Sequence, residues 1–245
     1  MWKYEKEKSK KNIIANILLI IFIALLIISS IEIIKWYKEN RENKKVQEKI
    51  SEAIIIDKEK TTIDFEKLKE INKDAVGWIK VNGTDIEYAV VKTNNNSYYL
   101  DHNFENEYNK AGWIFADYKN KLDGTDKNIV IYGHNRKDGS MFSSLKNILK
   151  EEWYSNEENR KITFITEKEE SVYEVFSIYQ IEAEDYYITT DFKNGEFLRY
   201  IETVKNRSIK DFNIEVTEED NILTLSTCGN DNDYRVVLHA RQIKS

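Results

Sequence analysis

The chain contains no proline and only eight glycines in 245 residues. Its turns must therefore be built from Gly, Asn, Asp and Ser. It has a single cysteine, Cys228, which excludes an internal disulfide and any Cys-pair metal site. That thiol is either a small buried apolar group or a reactive one. The three histidines, His102, His134 and His239, lie far apart in sequence and show no metal-ligand spacing. Positive charge is not in excess: 37 Lys and Arg stand against 43 Asp and Glu, a net charge of −6. Nucleic-acid binders carry a basic face. None is visible here, so nucleic acid is set aside as a partner. There is no glycine-rich phosphate loop, no Gly-x-Ser-x-Gly nucleophile setting, no repeat and no low-complexity tract. No metal or other cofactor is implied.

Aromatic residues are plentiful, with 15 Tyr, 10 Phe and 5 Trp, and β-branched residues are frequent. Both favour strands. One long uncharged run stands apart. Residues 13–31 read IIANILLIIFIALLIISSI and are apolar on every side, long enough to cross a bilayer as a helix. A cleavable signal has a shorter apolar core and a small-residue cleavage site, whereas this run passes into Glu32, Lys35 and Trp36. The expected organisation is a cytoplasmic tail over 1–12, a transmembrane anchor over 13–34, a charge-rich helical stalk over 35–63 and one folded domain over 64–245. Lysines and arginines flank both ends of the run, so charge alone does not orient it. The short N-terminal tail favours N-terminus inside, with the large domain outside the cell membrane.

Beyond the stalk, Asp64 is placed to cap a short helix, FEKLKEIN. Strand-like runs then follow over 77–81, 86–91 (after the turn pair Asn82-Gly83), 112–118, 128–133 (after Asp123-Gly124), 161–166, 171–183, 221–227 and 234–243. Helices are expected over 141–150 and over 195–208, where Phe197, Ile201 and Val204 share a face. Many short strands with few helices predict a mainly β fold, a closed or nearly closed barrel with peripheral helices.

Cys228 ends the strand TLSTC and precedes Gly229, Asn230 and Asp231. A thiol there can face solvent. If residues 230–233 turn the chain back, Arg235 comes near Cys228 on the neighbouring strand, where a guanidinium lowers a thiol pKa and stabilises a developing oxyanion. Thiol chemistry needs a proton partner. His134 follows the apolar strand IVIYG and opens the polar turn NRKDGS, as Cys228 ends its own strand, which makes it the candidate. His239 alternates with Val237 and Arg241, an ordinary sheet position, and lies about 13 Å along the strand from Arg235. His102, in YLDHNFE, suits a loop or cap.

These segments resemble the sortases, membrane-anchored cysteine transpeptidases. Thr224-Leu225-Ser226-Thr227-Cys228 is similar to their Thr-Leu-x-Thr-Cys signature, Arg235 looks like their arginine, and His134 in IYGHNRKDGSMF looks like the class B histidine. GWIKVNGTDIEYAVVKTNNNSYYLDHNF, GWIFADY and the 195–208 helix are also similar to class B. The resemblance covers about residues 64–245. It implies a sortase-like closed β-barrel in which Cys228, His134 and Arg235 (with Arg241 as the fallback cation) carry catalysis. Cys228 would attack after Thr in a C-terminal sorting signal of a surface protein. His134 would protonate the leaving amine. An amine of a lipid-linked peptidoglycan precursor would take the acyl group, anchoring the surface protein to the cell wall. The 184–208 segment would form a groove wall, with Tyr186, Tyr187 and Ile188 lining it and Ser226 and Thr227 contacting substrate from the strand. Three alternatives differ in chemistry: a pilus-assembling sortase with a Lys acceptor, a hydrolytic cysteine peptidase, and a non-catalytic membrane-tethered binding domain.

Overall fold

The computed structural model describes the backbone of residues 2–57, 60–228 and 234–244, and the side chains of 12–55, 62–227 and 234–244. The turn expected over 229–233 and the side chain of Cys228 lie outside the described residues.

Helix α1 runs from Trp2 to Ser51. The chain divides into two compact units, Met1–Glu42 and Asn43–Ser245. The first unit is helix alone. Its apolar side chains from Ile13 to Ile31 are all open to the surroundings, none below 46% exposed. This helix is long and apolar enough to cross a membrane.

The second unit starts with the end of α1. Val46 and Ile50 are buried in the main core. Asn109 Nδ2 donates to Asn43 Oδ1 at 3.0 Å, and Gln47 Nε2 donates to the Glu87 carbonyl at 3.0 Å. The helix stops at Ser51, and the expected helical stalk gives way to a two-stranded antiparallel ribbon, β1 (Ile54–Asp57) and β2 (Lys60–Ile63). Three consecutive isoleucines and a Thr pair explain the change, since β-branched side chains favour extended pairing over helix. Helix α2 (Phe65–Ile71) then begins at Asp64, whose carboxylate accepts the Lys67 amide at 3.1 Å. Such a cap is worth about 1 kcal/mol.

Eight strands close a barrel: β3 (Ala75–Val81), β4 (Glu87–Val91), β5 (Phe115–Ala116), β6 (Asn128–His134), β7 (Lys161–Ile165), β8 (Glu170–Glu182), β9 (Ile222–Cys228) and β10 (Tyr234–Gln242). Their spatial order is β10-β8-β7-β3-β4-β5-β6-β9. The mainly β, closed-barrel class read from the sequence is the one observed. Strands β6 and β9 are parallel neighbours, and their NIVIYG and ILTLST runs are buried almost throughout. Continuous burial on both faces is why these two read as unbroken apolar runs rather than as alternating patterns. Outside the barrel, helix α4 (Glu196–Arg207) lays Phe197, Tyr200, Ile201 and Val204 onto Phe176, Tyr179 and Val237. The i, i+3, i+4, i+7 spacing puts these four on one stripe. Each fully buried apolar side chain contributes about 1.5–3 kcal/mol, and a charge at Val204 would break the contact.

Two further expected elements differ. The strand over 112–118 shrinks to Phe115–Ala116. The Ile114 carbonyl and the Asp117 amide still bond to β4 and β6, but Gly112 at φ +59 and the Trp113 amide donating to the Tyr99 carbonyl divert the start of the run to a loop. The helix over 141–150 is a 3-10 turn, Ser143–Leu149. Met141 at φ +56 and the Ser143 hydroxyl bonded to the Arg136 carbonyl tie its start into the preceding loop. A four-residue helix, α3 (Glu151–Tyr154), follows it.

Candidate functional site

The register between β6 and β9 aligns Gly133 with Thr227 and His134 with Cys228. Two segments that are 94 positions apart thus end side by side at one mouth of the barrel. Strand β10 runs antiparallel along the other edge of β9, pairing Val237 with Ser226 and Leu238 with Leu225. The paired stretch of β9 and β10 runs from Val237 to Arg241, and Arg235, two residues before it on β10, pairs with Ile181 of β8 on its other side. The Arg235 side chain is half-buried, and Nη1 donates to the Tyr234 carbonyl at 3.2 Å. Arg241 instead pairs with Ile222 at the opposite end of β9, about 20 Å away at the usual strand rise. There it donates to the Glu215 carbonyl and faces Glu174.

His134 is buried, and its Nε2 lies 2.7 Å from the Leu100 carbonyl. A carbonyl only accepts, so Nε2 carries the proton and Nδ1 is the nitrogen that takes up or gives a second one. Leu100 closes the 3-10 turn Tyr98–Leu100. The loop after His134 is folded back by the Asn135–Met141 bridge and by the Phe142 amide, which donates to the His134 carbonyl at 3.0 Å. In that loop Arg136 and Asp138 pair at 3.1 Å. Burial opposes ionisation of Asp138, yet hydrogen bonds from Ser140 and the charge of Arg136 hold its carboxyl below the ordinary value.

The other two histidines have different surroundings. His102 stacks on Tyr98 with ring centroids 4.1 Å apart, and its Nδ1 donates to the Tyr98 carbonyl and Asp101. This is a cap within a surface loop. His239 is completely buried under α4, opposite Thr224. Thr224 Oγ1 donates to Asn128 Oδ1, so His239 Nδ1 must donate to Thr224 Oγ1, 2.9 Å away. Nε2 then accepts from the Tyr179 hydroxyl at 2.8 Å, which accepts from Tyr186. The result is a directed chain of neutral groups. Burial pulls His239 from the ordinary 6.5 down to about 3 and pushes the Tyr179 hydroxyl up.

The residues expected to contact substrate fall into two sets. Tyr186 and Ile188 are half-buried in and beside the 3-10 turn Tyr186–Ile188, with the Arg207 guanidinium over the Tyr186 ring. Tyr187 is buried and its hydroxyl accepts from Ser226 at 3.3 Å. Thr227 is buried too, with Oγ1 accepting the Val236 amide at 2.9 Å. Their side chains thus brace the 186–188 turn and the strand that ends at Cys228. Leu100 and Gly112 were not anticipated. The Leu100 contribution is a backbone carbonyl, invisible to residue type. The only signal for Gly112 was a glycine inside a strand-like run, which marks a bulge or close approach. Among the described residues no group of three His, Cys, Asp or Glu side chains converges as a metal site requires.

A sortase domain family model matches residues 79–243. The chain is 34% identical to sortase B of Listeria monocytogenes, over 95% of this chain and 98% of that one. It is 34% identical to sortase B of Staphylococcus aureus, over 94% and 96% of the two. The crystal structure of sortase B from B. anthracis in complex with AAEK1 superposes with a TM-score of 0.75 at 36% identity, covering 85% of this chain and all of that one.

Proposed function

The chain belongs to the sortase family and is a cysteine transpeptidase of the sortase B kind, and from that premise we propose that Cys228 is its nucleophile, His134 its acid and base, and Arg235 its oxyanion cation. The observation that supports this reading is the strand register that pairs His134 with Cys228 along one edge of β9, with Arg235 standing on β10, the strand along the other edge. The Cys228 thiolate attacks the carbonyl of Thr in a C-terminal sorting signal. Charge develops on the carbonyl oxygen, where Arg235 opposes it. His134 passes its Nδ1 proton to the leaving amine, the C–N bond breaks and a thioester remains on Cys228. An incoming amine then attacks the thioester, His134 accepts the amine's proton, and the thiolate departs.

The signal lies along β9 and the turn at 186–188. Tyr186 and Ile188 offer it side chains. Ser226, Thr227 and Tyr187 brace one another and meet it through the main chain. The acceptor is an amine of a lipid-linked peptidoglycan precursor, and the products are surface proteins joined to the cell wall. Residues 13–34 form a single-pass anchor with the 1–12 tail in the cytoplasm. The 35–63 stalk, whose part from Asn43 packs into the second unit, leads to a catalytic domain over 64–245 on the outer face. Tethering places enzyme, translocated substrate and lipid-linked acceptor in one layer, which raises effective concentration without a new contact.

Intact-mass measurement of the full chain in detergent, incubated with a sorting-signal peptide, tests this. An acyl adduct on the wild type that is absent from Cys228→Ala, and that turns over to an amide when a glycine-based amine is added, is the expected result. An adduct that persists in Cys228→Ala would remove the nucleophile. Free acid as the main product with amine present would make the protein a hydrolase.

A further inference from the structure

His134 is held by more than its own strand. Its Nε2 donates to the Leu100 carbonyl at 2.7 Å. The space between that carbonyl and the ring is closed by the backbone of Gly112. A Cβ on Gly112 would lie 2.5 Å from the Tyr99 carbonyl oxygen, 2.8 Å from the Leu100 carbonyl oxygen and 2.9 Å from His134 Cδ2, the carbon bonded to Nε2. All three distances are shorter than a carbon side chain tolerates. Gly112 also has φ +59, in the left-handed region.

The crowding cannot relax evenly. The Trp113 amide donates to the Tyr99 carbonyl at 2.9 Å, and the Gly112 amide donates to the Asn109 carbonyl at 2.9 Å. Asn109 is fixed in turn by its amide on the Asp101 carbonyl and by its side chain on Asn43. Both carbonyls and the glycine are therefore pinned in one short backbone cage. The imidazole is the partner able to move, by rotation about its side-chain torsions.

We propose that Gly112 is a positioning residue for the transpeptidation: by lacking a side chain it lets the Leu100 carbonyl reach Nε2 of His134, which fixes the Nε2–H tautomer and reserves Nδ1 for the transferred proton. In this arrangement the backbone carbonyl does for His134 what a carboxylate does in a Ser-His-Asp triad. It orients the ring, selects the tautomer and favours the imidazolium that forms during the reaction. The inference rests on the role assigned to His134 above, and the test separates the two.

The chain contains three histidines, so ring-nitrogen NMR of the 15N-histidine-labelled full chain in detergent is readable, and His134→Ala assigns the relevant signal. At a pH where the rings are neutral, wild-type His134 should be the Nε2–H form. Gly112→Ala should move it toward the Nδ1–H form or a mixture. It should also lower kcat by about 10- to 100-fold with little change in KM, as expected for a displaced acid–base group. Gly124→Ala is the control. Gly124 shares the left-handed backbone, φ +88, but a Cβ there meets only Glu169 Oε1 at 3.9 Å. It should keep wild-type kcat and the Nε2–H signal. A folded Gly112→Ala enzyme with unchanged kcat and tautomer, beside an inactive His134→Ala, overturns this inference and leaves the proposed function standing. An active His134→Ala overturns the proposed function itself. Should Gly112→Ala fail to fold, the wild-type spectrum decides alone, because an Nδ1–H ring contradicts the Leu100 contact.

Discussion

Lowering the pH from 7 to 4.5 should destabilise the barrel, and His239 should account for much of the loss. Its ring is completely buried, every group bonded to it is neutral (Tyr179, Tyr200, Thr224), and Phe176 packs nearby. Burial holds its pKa at about 3 against the ordinary 6.5. The unfolded chain therefore binds a proton between pH 6.5 and 3 that the folded chain refuses. Stability is complete above 6.5 and falls as pH drops, by about 1.4 kcal/mol per unit. Two units of that window cost roughly 3 kcal/mol, a large share of the 5–15 kcal/mol that holds a typical domain. The carboxylates with depressed pKa values, Asp123, Asp138 and Asp220, act in the same direction but below their ordinary 3.8, so the range 4.5–6.5 separates them from the histidine. Urea unfolding of the detergent-solubilised chain, followed by the fluorescence of buried Trp78, Trp113 and Trp153, measures the effect. His239→Gln should be less stable at pH 7, because the Tyr179–His239–Thr224 chain is cut. Its stability should also change less with pH, by about 1.4 kcal/mol per unit across that window. Parallel pH curves for the two proteins would refute the reasoning and mean that the ring is protonated or hydrated in the folded state.

The other expectations concern the site and the anchor. His134→Ala should lose nearly all acylation of Cys228, on the order of 10²–10⁴-fold, whereas His102→Ala, which removes only a loop cap, should retain most of it. Single-turnover acylation on folded protein distinguishes them, and an active His134→Ala with a dead His102→Ala would reverse the assignment. Protease added to intact cells should remove the region after residue 36 and leave the anchor in the membrane fraction. Protection of the large domain would place it on the inner face.

Much of this molecule was legible along the chain because its signals are local. Apolar runs without charge mark a helix long enough to cross a membrane and buried parallel strands. The Phe197, Ile201, Val204 stripe marks a helix with one covered face. Asp64 marks a cap, and Asn82-Gly83 and Asp123-Gly124 mark turns. The TLSTC segment with the later Arg235 and the upstream Gly133-His134 carried the family resemblance, because motif chemistry requires given residue types at strand ends. The misread elements, the end of the stalk, 112–118 and 141–150, are shaped partly by non-local bonds, such as the Trp113 amide to the Tyr99 carbonyl and the Phe142 amide to the His134 carbonyl, and local propensity is silent about such partners.

Residue types and spacing thus determined the β class, the apolar helix and a short list of reactive groups, since burial period and turn chemistry are written residue by residue. Only the tertiary structure decided which of those groups meet. Closure of the barrel sets β6 parallel to β9 and so aligns His134 with Cys228, while the antiparallel β10 sends Arg241 to the far end of β9. It also decided that His239 is a sealed, neutral core group and that the Leu100 carbonyl and the bare backbone of Gly112 hold His134. Those contacts are made by main-chain atoms and by strand register, neither of which a side-chain sequence spells out.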